Sequence, residues 1–361
     1  MISKRVGEML RAEVKYPLAG SFQRAEGGDV IKLCSNESPL GPSPKVVEVL
    51  KREAESVGRY PDSKAMELKE AIGDYLRIDP SRVCVGNGSD EIMDLICKAF
   101  MDPGDKVLIP IPTFSQYEIA SRVNGGKPNF VELVNFEWCT EDLVDELNGG
   151  RLAFIARPNN PTGNSIDEDG LKGLLETGKL IVVDEAYAEF SGYSVLDWTD
   201  AYDNLIVLRT FSKSFGLAGL RVGFAVGSPR MVEVLERVRP PFSVNRLAQR
   251  AAVAALGDED FLQRTINLVK EGRSYLQSEL SDIGLRVLPS DANFLMASSC
   301  PLGTNAPQFC EYLAQRRILI RDLSGFRGAG SKWVRITVGT PEENRQFIDA
   351  LEEFRRGKND R

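Results

Sequence analysis

Five short apolar runs, each followed by a polar turn, constrain the fold of this chain more than any other feature. They lie between segments of helical periodicity, at residues 82–85, 106–109, 152–156, 180–183 and 205–208. Buried strands that alternate with helices predict a mainly parallel sheet with helices on both faces. Because ligands bind where the carboxyl ends of parallel strands meet, the five polar turns are expected to face one site.

The remainder of the chain predicts a second, smaller domain. Long helical patterns at 231–238, 247–256 and 261–283 precede a tail in which short strands and helices mix. We therefore predict an α/β protein with a large α/β/α domain over residues 41–271. Residues 1–40 and 272–361 together are predicted to form a smaller α+β domain.

Composition narrows the classes of function. The 361-residue chain has a formal net charge of −7 and no long basic run, so we do not expect nucleic-acid binding. Neither a signal peptide nor a membrane span of ~18 apolar residues is recognisable, and we expect a cytoplasmic protein without a membrane partner. The chain contains no histidine. Serine–histidine and cysteine–histidine nucleophile pairs are therefore excluded, and no metal site is predicted.

Lys213 and Asp184 are the main candidates for chemistry. Lys213 follows the fifth apolar run, where partial desolvation would lower its pKa and leave a neutral amine able to attack an aldehyde. Asp184 ends the fourth run, where a carboxylate can keep a pyridine nitrogen protonated. A solvated surface lysine and a carboxylate that merely caps its strand are the structural alternatives.

A glycine-rich turn at residues 86–90 suits a phosphate group. It contains Ser89 and Asp90 and leads into a predicted helix, whose first N–H groups can bind an anion. Ser212 and Arg221 can add donors to the same phosphate. A glycine turn that serves only the backbone, and an exposed arginine, are the alternatives.

Three further residues suit an aromatic ring with a phenolic oxygen. Tyr187 and Asn160 can donate hydrogen bonds to that oxygen, and Phe114 offers a flat face for stacking. The turn around Asn160 could instead be a plain tight loop, and Phe114 a plain core residue.

Four motifs together resemble one enzyme family. They are Asn160-Pro161-Thr162-Gly163, Asp184-Glu185-Ala186-Tyr187, Ser212-Lys213 and Gly219-Leu220-Arg221-Val222-Gly223. In this order they resemble the fold-type I aminotransferases that depend on pyridoxal 5'-phosphate (PLP). The resemblance implies that Lys213 carries PLP as a Schiff base, with Asp184 and Tyr187 as further catalytic residues.

Additional segments resemble the histidinol-phosphate aminotransferases over nearly the whole chain. They cover residues 36–43, 59–62, 239–245, 320–322 and 334–339. This resemblance implies a homodimer in which Tyr60 reaches the cofactor phosphate of the neighbouring subunit. It also implies substrate contacts by Arg335, Arg321, Asn36 and Tyr16, with Arg335 binding the glutamate carboxylate and the histidinol phosphate group.

The implied reaction is a ping-pong transamination between L-histidinol phosphate and 2-oxoglutarate, a step of histidine biosynthesis. Lys213 would move the proton between the substrate and the cofactor. Three rivals remain: a threonine-phosphate decarboxylase, a broad aromatic aminotransferase, and a PLP-binding regulator without catalysis. The regulator is disfavoured because no DNA-binding helix pair or basic extension is recognisable.

Overall fold

The structure is a computed structural model and describes residues 2–12, 14 and 30–359. Its strands are β1 (Ile31–Leu33), β2 (Val83–Gly86), β3 (Lys106–Ile111), β4 (Lys127–Glu132), β5 (Leu152–Ala156), β6 (Leu180–Asp184), β7 (Leu205–Thr210), β8 (Gly223–Val226), β9 (Phe294–Ser298), β10 (Ile318–Asp322) and β11 (Trp333–Thr337). Its helices are α1 (Lys4–Arg11), α2 (Pro44–Glu53), α3 (Met66–Leu76), α4 (Gly88–Phe100), α5 (Gln116–Val123), α6 (Thr140–Asn148), α7 (Glu168–Glu176), α8 (Ala188–Ser191), α9 (Pro229–Val238), α10 (Arg246–Leu256), α11 (Glu259–Asp282), α12 (Ala306–Gln315) and α13 (Pro341–Asn359).

A seven-stranded sheet forms the centre of the fold, in the order β2-β8-β7-β6-β5-β3-β4. Only β8 runs against its neighbours, so the other six strands point in one direction. The five predicted runs are β2, β3, β5, β6 and β7, which confirms the prediction of a mainly parallel sheet. Their carboxyl ends therefore lie along one edge.

Two strands of this sheet, β4 and β8, lie outside the five predicted runs. The short β8 begins at a glycine and is followed by another, which makes its sequence resemble a turn. The edge strand β4 contains Lys127, Pro128 and Asn129 and is only half-buried. Polar residues and proline are typical of an edge strand, but they weaken the strand pattern in the sequence.

Packing on both faces fixes the position of the central strands. In β5, Phe154 packs in a cluster with residues of α4 and α5, while Ile155 faces a cluster with residues of α6 and α7. Both side chains are fully buried, and each contributes about 1.5–3 kcal/mol through burial. Helix α2 begins at Pro44, because the Ser43 hydroxyl accepts a hydrogen bond from the Val46 N–H and proline is favoured in the first turn.

A second sheet has four strands, in the order β1-β10-β11-β9. Its first strand comes from the amino-terminal part of the chain and pairs in parallel with β10. The predicted domain boundary after residue 271 falls inside the long helix α11. The division into two domains therefore stays a prediction. Within the described residues, no helix combines the length and apolar character required to cross a bilayer.

Candidate active site

A cavity of about 660 Å³ opens at the carboxyl edge of the seven-stranded sheet. All five polar turns contribute to its wall, and the smaller sheet adds residues from β10, β11 and the segment after β1. The predicted site residues that line it are Asn36, Ser89, Asp90, Phe114, Asn160, Asp184, Tyr187, Ser212, Lys213, Arg221, Arg321 and Arg335.

Lys213 lies in the turn after β7, and its amine points into the cavity wall. Its Nζ donates to the Ser35 carbonyl oxygen at 3.4 Å and lies 5.9 Å from the centre of the Tyr187 ring. Burial and, to a smaller extent, the positive charge of Arg335 lower the pKa of the amine from 10.5 to about 8. Roughly a tenth of this amine is therefore neutral at pH 7, against well under about 0.1% for a lysine with a pKa of 10.5.

Asp184 ends β6 and is buried, with one donor on each carboxylate oxygen. The Tyr117 hydroxyl donates to Oδ2 at 2.7 Å, and the Ala186 N–H donates to Oδ1 at 3.1 Å. Burial raises the pKa of Asp184 to about 6, although both hydrogen bonds and the nearby Lys213 act in the opposite direction. The carboxylate is therefore mainly ionised at neutral pH and can hold a protonated ring nitrogen.

The start of α4 forms a cradle that a side chain at either of two glycines would fill. A Cβ at Gly88, where φ is +76°, would lie 2.8 Å from Arg221 Nη2, and a Cβ at Gly223 would lie 2.7 Å from the Ser89 nitrogen. Arg221 Nη2 also donates to Asp90 Oδ2 at 3.0 Å. The N–H groups in the first turn of a helix lack partners within the helix, so this cradle suits a phosphate.

Two buried arginines form the opposite part of the wall. Arg321 in β10 and Arg335 in β11 are register partners across the antiparallel pair, and each is 5% exposed. Arg335 donates through Nη1 to Asn160 Oδ1 and through Nη2 to the Cys34 carbonyl oxygen at 2.9 Å. These two neutral acceptors orient the guanidinium, and the positive charges of Arg335 and Arg321 suit an anion at this end of the cavity.

A sequence model of the family described as aminotransferase class I and II matches residues 28–351. The chain belongs to this aminotransferase family. A histidinol-phosphate aminotransferase of Methanothermobacter thermautotrophicus is 40% identical over 339 residues, which cover 90% of this chain and 89% of the relative.

Two solved structures extend the comparison with other aminotransferase-fold proteins. The histidinol-phosphate aminotransferase of Sinorhizobium meliloti in complex with pyridoxal-5'-phosphate has a TM-score of 0.86 at 25% identity, covering 96% of this chain and 97% of that one. The L-threonine-O-3-phosphate decarboxylase of Porphyromonas gingivalis has a TM-score of 0.79 at 25% identity, covering 90% and 99%. These likenesses agree with the fold-type I architecture predicted from the sequence.

In this aminotransferase, Asn36 lines the cavity and also holds a neighbouring side chain. Its Nδ2 donates to the Tyr187 hydroxyl at 2.9 Å, and its Oδ1 accepts from Thr337 Oγ1 at 3.1 Å. The side-chain amide is therefore engaged by protein groups on both atoms. A substrate contact by Asn36, as implied by the sequence resemblance, stays a prediction.

Two predicted site residues of the aminotransferase are not among the residues that line the cavity. Tyr60 is 78% exposed and stacks on Phe242 with a ring-centre distance of 4.7 Å. Its role toward a neighbouring subunit stays a prediction. Tyr16 lies outside the described residues.

Tyr117 is the main site residue of the aminotransferase that lies outside the predicted set. It lines the cavity and bonds to Asp184 from the first turn of α5. Its spacing of three from the buried Ala120 was a usable signal, because residues three apart lie on one face of a helix. A hydroxyl on an otherwise apolar helix face requires a partner when that face is buried.

Proposed function

We propose that this aminotransferase uses PLP to transfer an amino group between L-histidinol phosphate and 2-oxoglutarate. One observation carries the proposal: the desolvated amine of Lys213 and the buried carboxylate of Asp184 line the same cavity. The 40% identity to a histidinol-phosphate aminotransferase supports the choice of substrate. We also place the reaction in the cytoplasm and in a homodimer, with Tyr60 completing the site of the neighbouring subunit.

The side chains around the cavity fit PLP. The cradle at α4 suits its phosphate, with Ser89, Ser212 and Arg221 as donors and Asp90 orienting Arg221. Asp184 would hold the ring nitrogen, Phe114 the ring face, and Tyr187 and Asn160 the phenolic oxygen. When bound, PLP supplies an electron-accepting ring that stabilises negative charge at the substrate α-carbon.

Lys213 is the group suited to move the proton at the substrate α-carbon. A general acid or base is most effective when its pKa lies near the working pH, and burial brings the pKa of this amine to about 8. The same residue would anchor the cofactor between turnovers. The ring centre of Tyr187 lies 5.9 Å from this amine.

Arg335 and Arg321 are suited to bind the anionic ends of both substrates. A guanidinium donates two parallel hydrogen bonds to a carboxylate and equally to a phosphate, so one pair of arginines can serve glutamate and histidinol phosphate in turn. Burial strengthens these contacts because little water competes for the donors.

The direct test is an assay of the purified protein with histidinol phosphate, 2-oxoglutarate and PLP. We expect glutamate and the oxo product of histidinol phosphate to form in equal amounts. Phenylpyruvate as a competing amino acceptor measures how broad the substrate range is. No glutamate formation from histidinol phosphate would contradict the proposed substrate.

A threonine-phosphate decarboxylase is the second candidate, favoured by the structural likeness to the Porphyromonas gingivalis enzyme. Both activities require PLP and an anion site for a phosphorylated amine, so the cavity described above suits either. Carbon dioxide released from O-phosphothreonine, without glutamate formation from histidinol phosphate, would favour the decarboxylase.

A further inference from the structure

Tyr117 occupies a central position behind the proposed cofactor site. Its side chain is fully buried, and its hydroxyl donates to Asp184 Oδ2 at 2.7 Å. Burial and the adjacent Asp184 carboxylate both raise the pKa of this phenol well above 10, so it keeps its proton and remains a donor. Tyr117 thus provides Asp184 with a permanent hydrogen bond.

Aromatic packing holds the Tyr117 ring in place. It stacks on Phe154 of β5 with a ring-centre distance of 5.0 Å and an interplanar angle of 1°. It also meets Phe114 edge to face, at 5.7 Å and 85°. Phe114 is the residue assigned to the ring face of the cofactor. One phenol therefore contacts both the residue proposed for the ring nitrogen and the residue proposed for the ring face.

Several groups around Asp184 affect whether its carboxyl is protonated, and some of them act against the hydrogen bond from Tyr117. Asp184 is buried, and Asp90 of α4 adds a like charge, so both effects favour the protonated carboxyl. Lys213 after β7 and the Tyr117 hydroxyl favour the ionised form. The hydrogen bond from Tyr117 is the largest of the effects that keep the carboxylate charged. A hydrogen bond to an ionised group is stronger than one between neutral groups.

We propose that Tyr117 is a positioning residue that keeps Asp184 ionised and correctly oriented toward the cofactor ring. This inference rests on the proposed function, because it assigns Asp184 to the ring nitrogen. Tyr117 touches no reacting atom in this assignment, and it acts only through Asp184 and Phe114.

The first experiment uses the cofactor-free protein and follows Asp184 by difference infrared spectroscopy, with Asp184→Asn identifying its band. In Tyr117→Phe the ring packing is kept and only the hydroxyl is lost. We expect the titration midpoint of Asp184 to move upward from about 6 by about one pH unit, as expected for a lost charge-assisted hydrogen bond. An unchanged midpoint would overturn the proposal.

Tyr193→Phe is the matched control. Tyr193 is a partly buried tyrosine whose hydroxyl donates to a different carboxylate, Asp291 Oδ2, at 3.1 Å. It is not among the residues that line the cavity. The Asp184 midpoint should stay in place in this variant, and a shift of equal size would mean that the effect is not specific to Tyr117.

The second experiment measures the dissociation constant of PLP by absorbance titration. Tyr117→Phe should weaken binding about tenfold in the wild-type background and less than about twofold in the Asp184→Asn background. Equal losses in both backgrounds would overturn the proposal. If wild-type protein binds no PLP, the proposed function fails, whereas the infrared titration still reports whether Tyr117 controls Asp184.

Discussion

Lys213 and Asp184 reach one cavity from the ends of two neighbouring parallel strands, β7 and β6. Burial moves their pKa values toward each other, because it disfavours the charged form of both groups: the amine falls to about 8 and the carboxyl rises to about 6. Buried ionisable groups with pKa values displaced in this way are typical of catalytic sites.

Replacing Lys213 should remove activity. Lys213→Ala is expected to abolish the covalent attachment of PLP that borohydride reduction fixes to the protein and to lower the transamination rate by at least about 100-fold, because Lys213 is the only lysine among the described residues that line the cavity. Absorbance spectra and initial rates check this. Lys172→Ala, at a half-exposed lysine on α7, serves as the control and should leave both unchanged. Unchanged turnover in Lys213→Ala would contradict the assignment.

The reactivity of the Lys213 amine should rise with pH around an unusually low midpoint. Only the neutral amine reacts with an acylating reagent, so labelling of cofactor-free protein should increase through a pH of about 8 rather than 10.5. Mass spectrometry of the peptide that contains Lys213 gives the labelling rate. Arg335→Gln removes a nearby positive charge and should move the midpoint upward. A midpoint near 10.5 in the folded wild type would show that Lys213 is solvated.

Replacing Arg335 should weaken the binding of both substrates. Arg335→Leu is expected to raise the KM for glutamate and for histidinol phosphate about 100-fold each, because a buried charge-assisted contact is lost in both half-reactions. Arg316→Leu is the control, at a partly exposed arginine that pairs with Glu353. A rise in only one of the two KM values would mean that the substrates do not share this anion site.

Asp184 should lower the stability of the cofactor-free protein at neutral pH. Its pKa rises from 3.8 in the unfolded chain to about 6 in the fold, so folding favours the protonated carboxyl, and this contribution is lost as the pH rises through 6. Asp184→Asn should therefore raise the free energy of unfolding at pH 8 by up to about 3 kcal/mol. The gain should shrink as the pH falls from 7 to 5.

Urea unfolding of the cofactor-free proteins at several pH values measures this difference. Asp169→Asn, at a carboxylate that is 98% exposed, should show almost no gain at any pH. A gain for Asp184→Asn that does not depend on pH would contradict the raised pKa of Asp184.

Tyr60 should act on the site of the neighbouring subunit. If so, mixed dimers of Tyr60→Ala and Lys213→Ala contain one intact site, made of Lys213 from the first chain and Tyr60 from the second. Random mixing of the two inactive variants should then restore about a quarter of the wild-type activity, because half of the dimers are mixed. Activity that stays at the level of the separate variants would show that Tyr60 serves its own subunit or none.

The amino-acid sequence already contained the central part of the fold and most of the candidate site. The apolar runs are long enough to specify β2, β3, β5, β6 and β7, because both faces of these strands are buried and require apolar residues. The parallel direction then brings their polar turns to one edge, so the sequence alone predicts that Lys213 and Asp184 lie at one site.

Only the tertiary structure decided the contacts that depend on packing between distant segments. The pairing of β1 with β10, the position of Arg335 beside Asn160 and the bond from Tyr117 to Asp184 join residues that are 67 to 287 positions apart. Local patterns report whether a side chain is buried, but they carry no information on which distant group lies against it. That choice is made by the packing of whole elements, which satisfies buried polar groups only once the sheet and helices are assembled.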